Sequence, residues 1–373
     1  MSSLAQFPAL AAFLAGAAST WPDLRISADD LIEICDDEEL SPLAYHRLAA
    51  SNTGVWPDAV REALADRARA YAGEELLRGV ETREVVQALA QAGVPPILIK
   101  GTPLAYTVYD APQLRPRSDT DILIAAKDVD RARSVMSSLG YATTVYCSDL
   151  FSQFEVQKVD RFGVLHAFDV HWSVSTQPVF AGLLEYDELL ARAVAVPALG
   201  DRAMAPRAVD ALLLACVHPV MHHRNVERVL WTYDVHLLAS MMAPEELEEM
   251  ASLARTREVA GVCAYQLRLA QTTFGTAVPD AVFASLACAG QREASAAYLA
   301  PGRTWRDELF SSVRGLRSTG ARARLLREVL FPSPGYMLDA YGLRGSTRGP
   351  WLLPALYVHR NVRGLWKIIS GQK

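Results

Sequence analysis

Two aspartates one residue apart are the first candidates for chemistry in this sequence. The stretch RPRSDTDILIA, residues 115–125, places Asp119 and Asp121 at the start of an apolar run that is typical of a buried β-strand. Residues two apart in a strand share a side, so we expect both carboxylates on one face and the core on the other. Such carboxylates raise each other's pKa unless a cation lies between them. The pattern predicts a Mg2+ site, because Mg2+ binds one or two carboxylates together with substrate phosphates; two surface acids are the alternative.

A third carboxylate lies in a later polar face. The stretch LHAFDVHWSV alternates apolar and polar residues, so Asp169 and His171 share one side of a predicted strand. Neighbouring strands of one small sheet would bring this side towards Asp119 and Asp121, where three carboxylates suit a pair of metal ions in phosphoryl transfer. For His171 we favour a hydrogen bond that orients Asp169, with a proton shuttle as the alternative.

A turn for phosphate binding is predicted before the aspartates. The apolar run VPPILIKG ends at Gly101 and indicates a strand, and TPLAYTVY then begins a helix with Thr102 at its cap. Backbone N–H groups at such a turn favour an anion. We therefore predict that Lys100, Gly101 and Thr102 bind phosphate, together with Arg115 and Arg117, whose guanidinium groups suit a polyphosphate.

The hydrophobic periods along the chain predict an α+β fold, with a small mixed sheet between two helical regions. Apolar residues at three-to-four spacing indicate helices over residues 28–92 and 206–330, and the runs between them indicate strands, including a β-hairpin around RFG. A chain of 373 residues exceeds one ordinary core. We expect an N-terminal helical region (1–92), a core with the sheet (93–205), a helical domain covering the active-site cleft (206–300) and a basic helical segment (301–373).

The charge of the chain is uneven. The net charge is −5, yet residues 301–373 hold 13 Lys and Arg against 4 Asp and Glu, a net +9, which leaves −14 for residues 1–300. A basic segment attracts anionic partners, and its end, GPWLLPALYVHRNVRGLWKIISGQK, combines apolar and basic residues as interfacial helices do. We favour a helix docked on the catalytic domain, with membrane contact as the alternative, and we do not expect nucleic acid as a partner.

The cysteines and the N-terminus bear on the compartment. The five cysteines are scattered singly, which argues for a reducing compartment and against thiolate metal sites. The N-terminal apolar stretch lacks the preceding Lys or Arg of a signal peptide, and no segment approaches the roughly 20 apolar residues of a membrane span. We expect a soluble, cytoplasmic protein.

Histidines in the second helical region form a further candidate group. His218 and His222 lie four residues apart on one helical face, and Asp234 follows in the next periodic stretch. These residues, with His171, are predicted either to line the acceptor or nucleotide cleft or to form an interior hydrogen-bonded network. A zinc site is disfavoured, because further ligands at the required spacing are missing.

The order of these features resembles the polymerase-beta-like nucleotidyltransferase superfamily, and more closely a bacterial family of uncharacterised nucleotidyltransferases. Residues 100–101 match a lysine-glycine after the first strand, and residues 109–115 match Y-x-x-P-x-x-R. Residues 119–123 match D-x-D-x-L, and residues 169–172 match carboxylate-x-His-Trp. A helical H-x-x-x-H and an aromatic-Asp pair also match downstream, at residues 218–222 and 233–234.

The resemblance implies transfer of a nucleoside monophosphate from an NTP, ATP or GTP, to a hydroxyl or phosphate of a small molecule or peptide, with release of pyrophosphate. Asp119 and Asp121 would then hold two Mg2+ ions, or Mn2+ in their place, and Asp169 would complete the catalytic one and help to deprotonate the acceptor. Thr102 stands where serine is usual and Asp169 where glutamate is common. The alternatives are modification of a protein or tRNA, and a nucleotide-binding regulatory module without turnover, against which the intact D-x-D argues.

Overall fold

The computed structural model describes residues 7–17, 19–50, 56–145, 152–175, 177–290, 293–300, 303–316, 318–343 and 346–370. It shows an α+β protein in which helices at both ends of the chain flank one mixed sheet, so the predicted fold class is confirmed. The helices are α1 (Pro8–Leu14), α2 (Ala28–Asp37), α3 (Ser41–Ala50), α4 (Asp58–Gln91), α5 (Gly101–Thr107), α6 (Val129–Ser138), α7 (Tyr186–Arg192), α8 (Ala208–His222), α9 (Val229–Met241), α10 (Pro244–Thr256), α11 (Ala260–Phe274), α12 (Asp280–Gly290), α13 (Trp305–Gly315), α14 (Thr319–Leu330), α15 (Pro334–Ala340) and α16 (Gly349–Ser370).

In the described residues the sheet has seven strands, in the order β3-β4-β5-β2-β1-β7-β6. The strands are β1 (Ile97–Ile99), β2 (Thr120–Leu123), β3 (Ala142–Val145), β4 (Gln153–Val159), β5 (Leu165–His171), β6 (Val194–Ala195) and β7 (Met204–Ala205). Strand β2 lies in the middle, antiparallel to β1 and parallel to β5, and β5 pairs antiparallel with β4 in the predicted hairpin. The centre of the sheet therefore joins segments that are about fifty residues apart in sequence.

Both faces of the central strands are covered. Ile97 and Ile99 of β1 belong with Leu123 to an apolar core shared with α8–α12, while Leu98 and Ile122 belong to a second core on the opposite face, shared with α4 and α6. The prediction that only the side of Ile122 faces a core is therefore wrong, because helices α8–α12 cover the side that carries Asp121. Asp121 is buried there because Leu123 follows it on that face and Ile99 of β1 pairs with it in the sheet, and both apolar residues belong to the core shared with α8–α12.

Helix α4 holds the N-terminal helices against the sheet. It begins after Pro57, as predicted, and ends before Gly93, whose φ of +75° turns the chain into β1. A third apolar core joins α1–α3 and the start of α4 to α9, with Phe13 packed 5.0 Å from Trp56 between ring centroids. The N-terminal helices thus pack on both the sheet region and the second helical region.

Several local predictions differ from the structure. Helix α5 begins at Gly101 after Lys100, with no side-chain cap, so Thr102 is inside the first turn and is not its cap. The short strands β6 and β7 were not expected, because two residues carry no periodic signal. Cys35, Cys216 and Cys263 are free and buried, whereas Cys147 and the side chain of Cys288 lie outside the described residues. The three boundaries between the four predicted regions stay predictions.

The C-terminal helix α16 packs against the segment that precedes it. Tyr357 donates a hydrogen bond to the carbonyl of Pro332 (2.6 Å), and Asn361 donates to that of Leu330 (3.0 Å). Docking of α16 on the catalytic domain stays a prediction. In the part of the chain that the structure describes, no helix combines the length and the apolar character needed to cross a membrane.

Candidate active site

An acidic cluster forms where β2 and β5 run side by side. Their parallel register places Asp121 opposite Asp169, and His171 follows two residues later on the same face. Atoms of Asp121, Asp169 and His171 that could bind a metal all lie within 4.8 Å of one another. Asp121 and His171 are buried, while Asp169 is partly open to solvent. The cluster is therefore assembled by the sheet and can be reached from outside through Asp169.

Asp121 is the electrostatic centre of the cluster. Its Oδ1 accepts a hydrogen bond from the ammonium of Lys100 (2.6 Å) and lies 2.8 Å from Nε2 of His171. Although burial alone would raise it, the pKa of Asp121 is lowered far below its usual value by Lys100 and His171. The predicted hydrogen bond from His171 to Asp169 is wrong, because Nε2 of His171 contacts the carboxylate of Asp121 instead. Burial and the nearby Lys100 lower the pKa of His171, which favours the neutral ring.

The neighbouring carboxylates respond in the opposite direction. Burial, followed by the charges of Asp121, Asp119 and Glu155, raises the pKa of Asp169 to about 8. Burial and Asp121 raise the pKa of Asp119 to about 6. Glu155 pairs with Asp169 across β4 and β5, so it lies on the same face. Sequence analysis missed Glu155, although the alternation in QFEVQKV places it on the polar side of its strand.

Asp119 occupies a different place from the one expected. It immediately precedes β2. The cluster of three potential metal ligands among the described residues consists of Asp121, Asp169 and His171, and does not include Asp119. Its backbone carbonyl accepts a hydrogen bond from Arg117 (3.1 Å). The structure thus brings together Asp121 and Asp169 of the predicted metal set, and the role of Asp119 as a ligand stays a prediction.

The donor set fits a divalent cation. Asp121 and Asp169 offer carboxylate oxygens, the ligands that Mg2+ and Mn2+ prefer. Burial, together with the charges of three neighbouring carboxylates, raises the pKa of Asp169, and a bound cation would offset both effects. The ammonium of Lys100 balances the charge of Asp121 in this structure, whereas no such ion pair is found for Asp169 among the described residues. Lys100 has a φ of +58° and a ψ of −133°, an unfavourable conformation for a residue with a side chain.

The predicted phosphate-binding Arg115 is engaged elsewhere. Its guanidinium is buried and forms a forked ion pair with Asp234 of α9, at 2.8 Å for the shortest contact. Tyr109 donates a hydrogen bond to the same carboxylate (2.8 Å), and Arg115 also donates to the carbonyl of Pro116. A Cβ added at Gly101 would come within 3.0 Å of this guanidinium, so glycine allows Arg115 to pack against the turn. In this arrangement Arg115 is a structural link between the turn and α9.

Arg117 is also paired inside the protein. It contacts Glu75 of α4 at 3.0 Å and the hydroxyl of Thr120, and Tyr106 donates to the same Glu75 oxygen (2.7 Å). Arg117 therefore fixes the backbone around Asp119 to α4. Glu75 gave no signal in the sequence, because its partner is 42 residues away and its helix is rich in acids. Phosphate binding by Arg115, Arg117 and the buried Thr102 stays a prediction that these contacts do not favour.

A pocket of about 280 Å³ opens beside the turn. Lys100, Gly101, Arg115 and Asp234 line one part of it, and apolar residues of α5, α8 and α9 line most of the rest. Lys100 therefore borders the pocket, and its ammonium contacts Asp121 of the acidic cluster. Of the predicted cleft residues, His218 and Asp234 line this pocket, whereas His222 contacts the carbonyl of Val174 at 3.3 Å.

Three histidines and a tryptophan pack next to this pocket. The ring of His218 lies 5.0 Å from Trp231 and 4.8 Å from His223, with His222 at 5.7 Å, between centroids. Burial, followed by the charge of Lys100, lowers the pKa of His218 well below its usual value and that of His222 to about 3. Both rings are therefore neutral at pH 7. Nδ1 of His218 is buried without a hydrogen-bond partner among the described residues.

Comparison with known proteins agrees with this geometry. A family model described as uncharacterised nucleotidyltransferase matches residues 25–275, a range that includes the acidic cluster, the turn at Gly101 and the helices α8 and α9. No curated protein sequence matches the chain. Since the match covers more than half of the 373 residues, the chain belongs to this family of uncharacterised nucleotidyltransferases.

Proposed function

We propose that this protein transfers a nucleoside monophosphate from an NTP to an acceptor hydroxyl or phosphate and releases pyrophosphate, with a divalent cation at the acidic cluster. The observation that carries the proposal is the register of β2 and β5, which sets Asp121 beside Asp169 in a chain of a nucleotidyltransferase family. Two carboxylates at this separation need a cation between them if both are to be ionised.

Asp121 and Asp169 would hold the cation, Mg2+ or Mn2+, and His171 positions Asp121 through its hydrogen bond. When bound, the ion supplies positive charge for the phosphoryl oxygens during transfer. Asp119 is proposed as a ligand of a second ion. Asp169 is the member of the cluster that is open to solvent, and it is therefore best placed to meet an acceptor.

The reaction forms one bond and breaks another at phosphorus. An acceptor oxygen attacks the α-phosphorus, the bond from that phosphorus to the β-phosphate oxygen breaks, and pyrophosphate leaves with the electron pair. The proton of the acceptor hydroxyl passes to Asp169 as general base. Lys100 and the backbone of Gly101 lie beside the cluster and are proposed to bind the β and γ phosphates, with Thr102 following in the same turn.

The pocket supports a small acceptor. A largely apolar space of about 280 Å³ bordered by Lys100 and Gly101 suits a small molecule or a single side chain of a peptide. Thr107, His218 and Glu246 are polar residues at its wall, beside the Arg115–Asp234 pair. Modification of a protein or tRNA is the second candidate, and the basic segment 301–373 is the observation that favours it.

Ligand-induced thermal stabilisation tests the proposal. The unfolding midpoint is measured with Mg2+ and each of the four NTPs for the wild type and for Asp121→Asn and Asp169→Asn. A ligand at about 100 times its Kd adds roughly 2.7 kcal/mol to stability, which moves the midpoint by several degrees. We expect one NTP to stabilise the wild type in the presence of Mg2+ and both variants to lose this shift.

Asp66→Asn is the matched control, because it removes one carboxylate from an exposed part of α4. It should keep the full shift. Shifts with and without ligand are compared within each variant, since Asp121→Asn also removes the partner of Lys100. The proposal is refuted if no NTP stabilises the wild type with Mg2+, or if Asp121→Asn responds as the wild type does.

A further inference from the structure

The C-terminal helix carries an apolar stripe that faces solvent. In α16 the residues Trp351, Val358, Val362 and Trp366 are 86, 65, 62 and 55% exposed, and the exposed Ala355 lies between them. Spacings of three and four residues place all five within about 80° of the helix circumference. They form one face about 22 Å long, which we call the apolar stripe.

The opposite face of α16 fixes the direction in which the stripe points. Arg360 donates a hydrogen bond to the carbonyl of Val329 (2.6 Å), on the same side as the bonds from Tyr357 and Asn361 to residues 332 and 330. The ring of Tyr357 also packs 5.9 Å from that of Phe331. Turning the stripe inward would break these contacts, so its exposure is a property of the packed helix.

Apolar exposure is concentrated in this part of the protein. Of the seventeen large apolar side chains that are exposed among the described residues, nine lie between Phe310 and Trp366. Single exposed apolar residues are ordinary on protein surfaces, whereas an aligned set marks an interaction surface. The apolar stripe is such a set, with a tryptophan near each end of the helix.

The charge around the stripe is positive. Residues 301–373 carry a net +9, while the rest of the chain is strongly acidic. Arg348 lies just before α16 and Arg363 follows Val362 within it, and both are exposed. A partner for this surface must accept large apolar side chains and must carry negative charge.

We propose that α16 binds the surface of an anionic lipid membrane, with the apolar stripe in the headgroup region and the basic residues at the lipid phosphates. Tryptophan at both ends of an amphipathic helix, together with arginine beside it, is the composition of helices that lie in this interface. Pairing of α16 with α16 of a second copy would bring two segments of +9 together. RNA would gain little from Val358, Val362 and Ala355, which have no ring to stack on a base.

The helix lies on the bilayer and does not cross it, since no described helix is long and apolar enough for a span. Attraction of basic residues to anionic lipid is screened by salt and acts within about 8 Å at physiological ionic strength. Binding should therefore require anionic lipid and weaken as salt is raised. The proposal is independent of the nucleotidyl transfer, because α16 lies beyond the residues that match the family.

Flotation with liposomes tests the proposal on the full-length protein. Vesicles of phosphatidylcholine with 30 mol% phosphatidylglycerol are compared with pure phosphatidylcholine at low and high salt. We expect the wild type to float with the anionic vesicles only, and Val358→Gln/Val362→Gln to bind them at least tenfold more weakly. Arg348→Gln/Arg363→Gln should also lose binding, and chiefly at low salt.

Leu76→Gln/Val80→Gln is the matched control, because it removes two exposed apolar residues four apart on α4. It should float as the wild type does, and circular dichroism should show equal helix content for all variants. Absence of flotation with anionic vesicles overturns the proposal, as does equal flotation with neutral ones. Sedimentation as a dimer that Val358→Gln/Val362→Gln converts to a monomer, without lipid binding, would assign the stripe to a second copy and also overturn it.

Discussion

Breaking the buried ion pair between Arg115 and Asp234 should destabilise the protein strongly. The two side chains are only 9% and 6% exposed, and Arg115 makes its contacts to both carboxylate oxygens. In Asp234→Asn the guanidinium keeps its charge in the interior without a counter-charge. Removal of one partner of a buried pair costs about 3–5 kcal/mol. We expect the unfolding midpoint to fall by on the order of 10 °C.

The conservative change isolates the charge. The side-chain amide that Asp234→Asn introduces would still accept the hydrogen bond that Tyr109 donates to the carboxylate, so the loss comes mainly from the ion pair. Arg115→Met is the complementary variant, because it leaves the Asp234 carboxylate buried and unpaired. In the double variant neither charge remains, and its loss should be about 2 kcal/mol or more smaller than the sum of the single losses.

Differential scanning calorimetry of the four proteins gives this comparison. Asp66→Asn provides the reference for an exposed pair, since Asp66 and Arg69 are 70% and 69% exposed and such pairs contribute about 0–1 kcal/mol. A midpoint for Asp234→Asn within about 2 °C of the wild type would refute the reasoning. Strict additivity of the two substitutions would refute it as well, because it would mean that the groups do not stabilise each other.

Two further predictions concern the site. The Mn2+-induced rise of the unfolding midpoint should grow from pH 6 to pH 8.5 and disappear in Asp169→Asn, because a proton on Asp169, whose pKa is raised to about 8, competes with the cation. A metal-induced rise that does not change with pH would contradict this. Without metal, the stability that the raised pKa of Asp169 contributes is fully present below the ordinary value of 3.8 and is lost progressively as the pH rises to about 8. Gly101→Ala should lower the free energy of unfolding in urea by about 1–3 kcal/mol, because the added Cβ would lie 3.0 Å from the Arg115 guanidinium. In the control Gly73→Ala, in α4, the added Cβ meets no other atom and should stabilise the protein by about 0.5–1 kcal/mol. Equal effects of the two substitutions would contradict this packing.

Sequence alone predicted the elements of the site but not their pairing. Alternation placed Asp169 and His171 on one side of a strand, and the hairpin of β4 and β5 is confirmed. The parallel neighbour of β5 is β2, and the residues of neither strand indicate this pairing or its register. The partner of His171 therefore could not be known, and the hydrogen bond to Asp121 replaces the one expected to Asp169.

The arginines show a second limit of sequence reasoning. Arg115 and Arg117 were predicted to bind phosphate because they lie near the aspartates in sequence. An arginine that binds phosphate cannot be distinguished, in the sequence alone, from an arginine in a structural ion pair. Their observed partners, Asp234 and Glu75, are 119 and 42 residues away. Both guanidinium groups are buried in the fold, and a buried guanidinium requires a carboxylate as its partner. The sequence does not reveal this burial, because loop residues show no hydrophobic periodicity.

Under the proposed function, the contact between Lys100 and Asp121 would make binding of the cation and of the nucleotide cooperative. A divalent cation that arrives alone must displace an ammonium held at 2.6 Å, so its affinity is reduced by the cost of that exchange. A polyphosphate bound at the proposed turn offers the same ammonium a new partner and removes part of that cost. By thermodynamic reciprocity each ligand then raises the affinity of the other by the same factor. The protein would take up metal and nucleotide together and would hold little metal between turnovers.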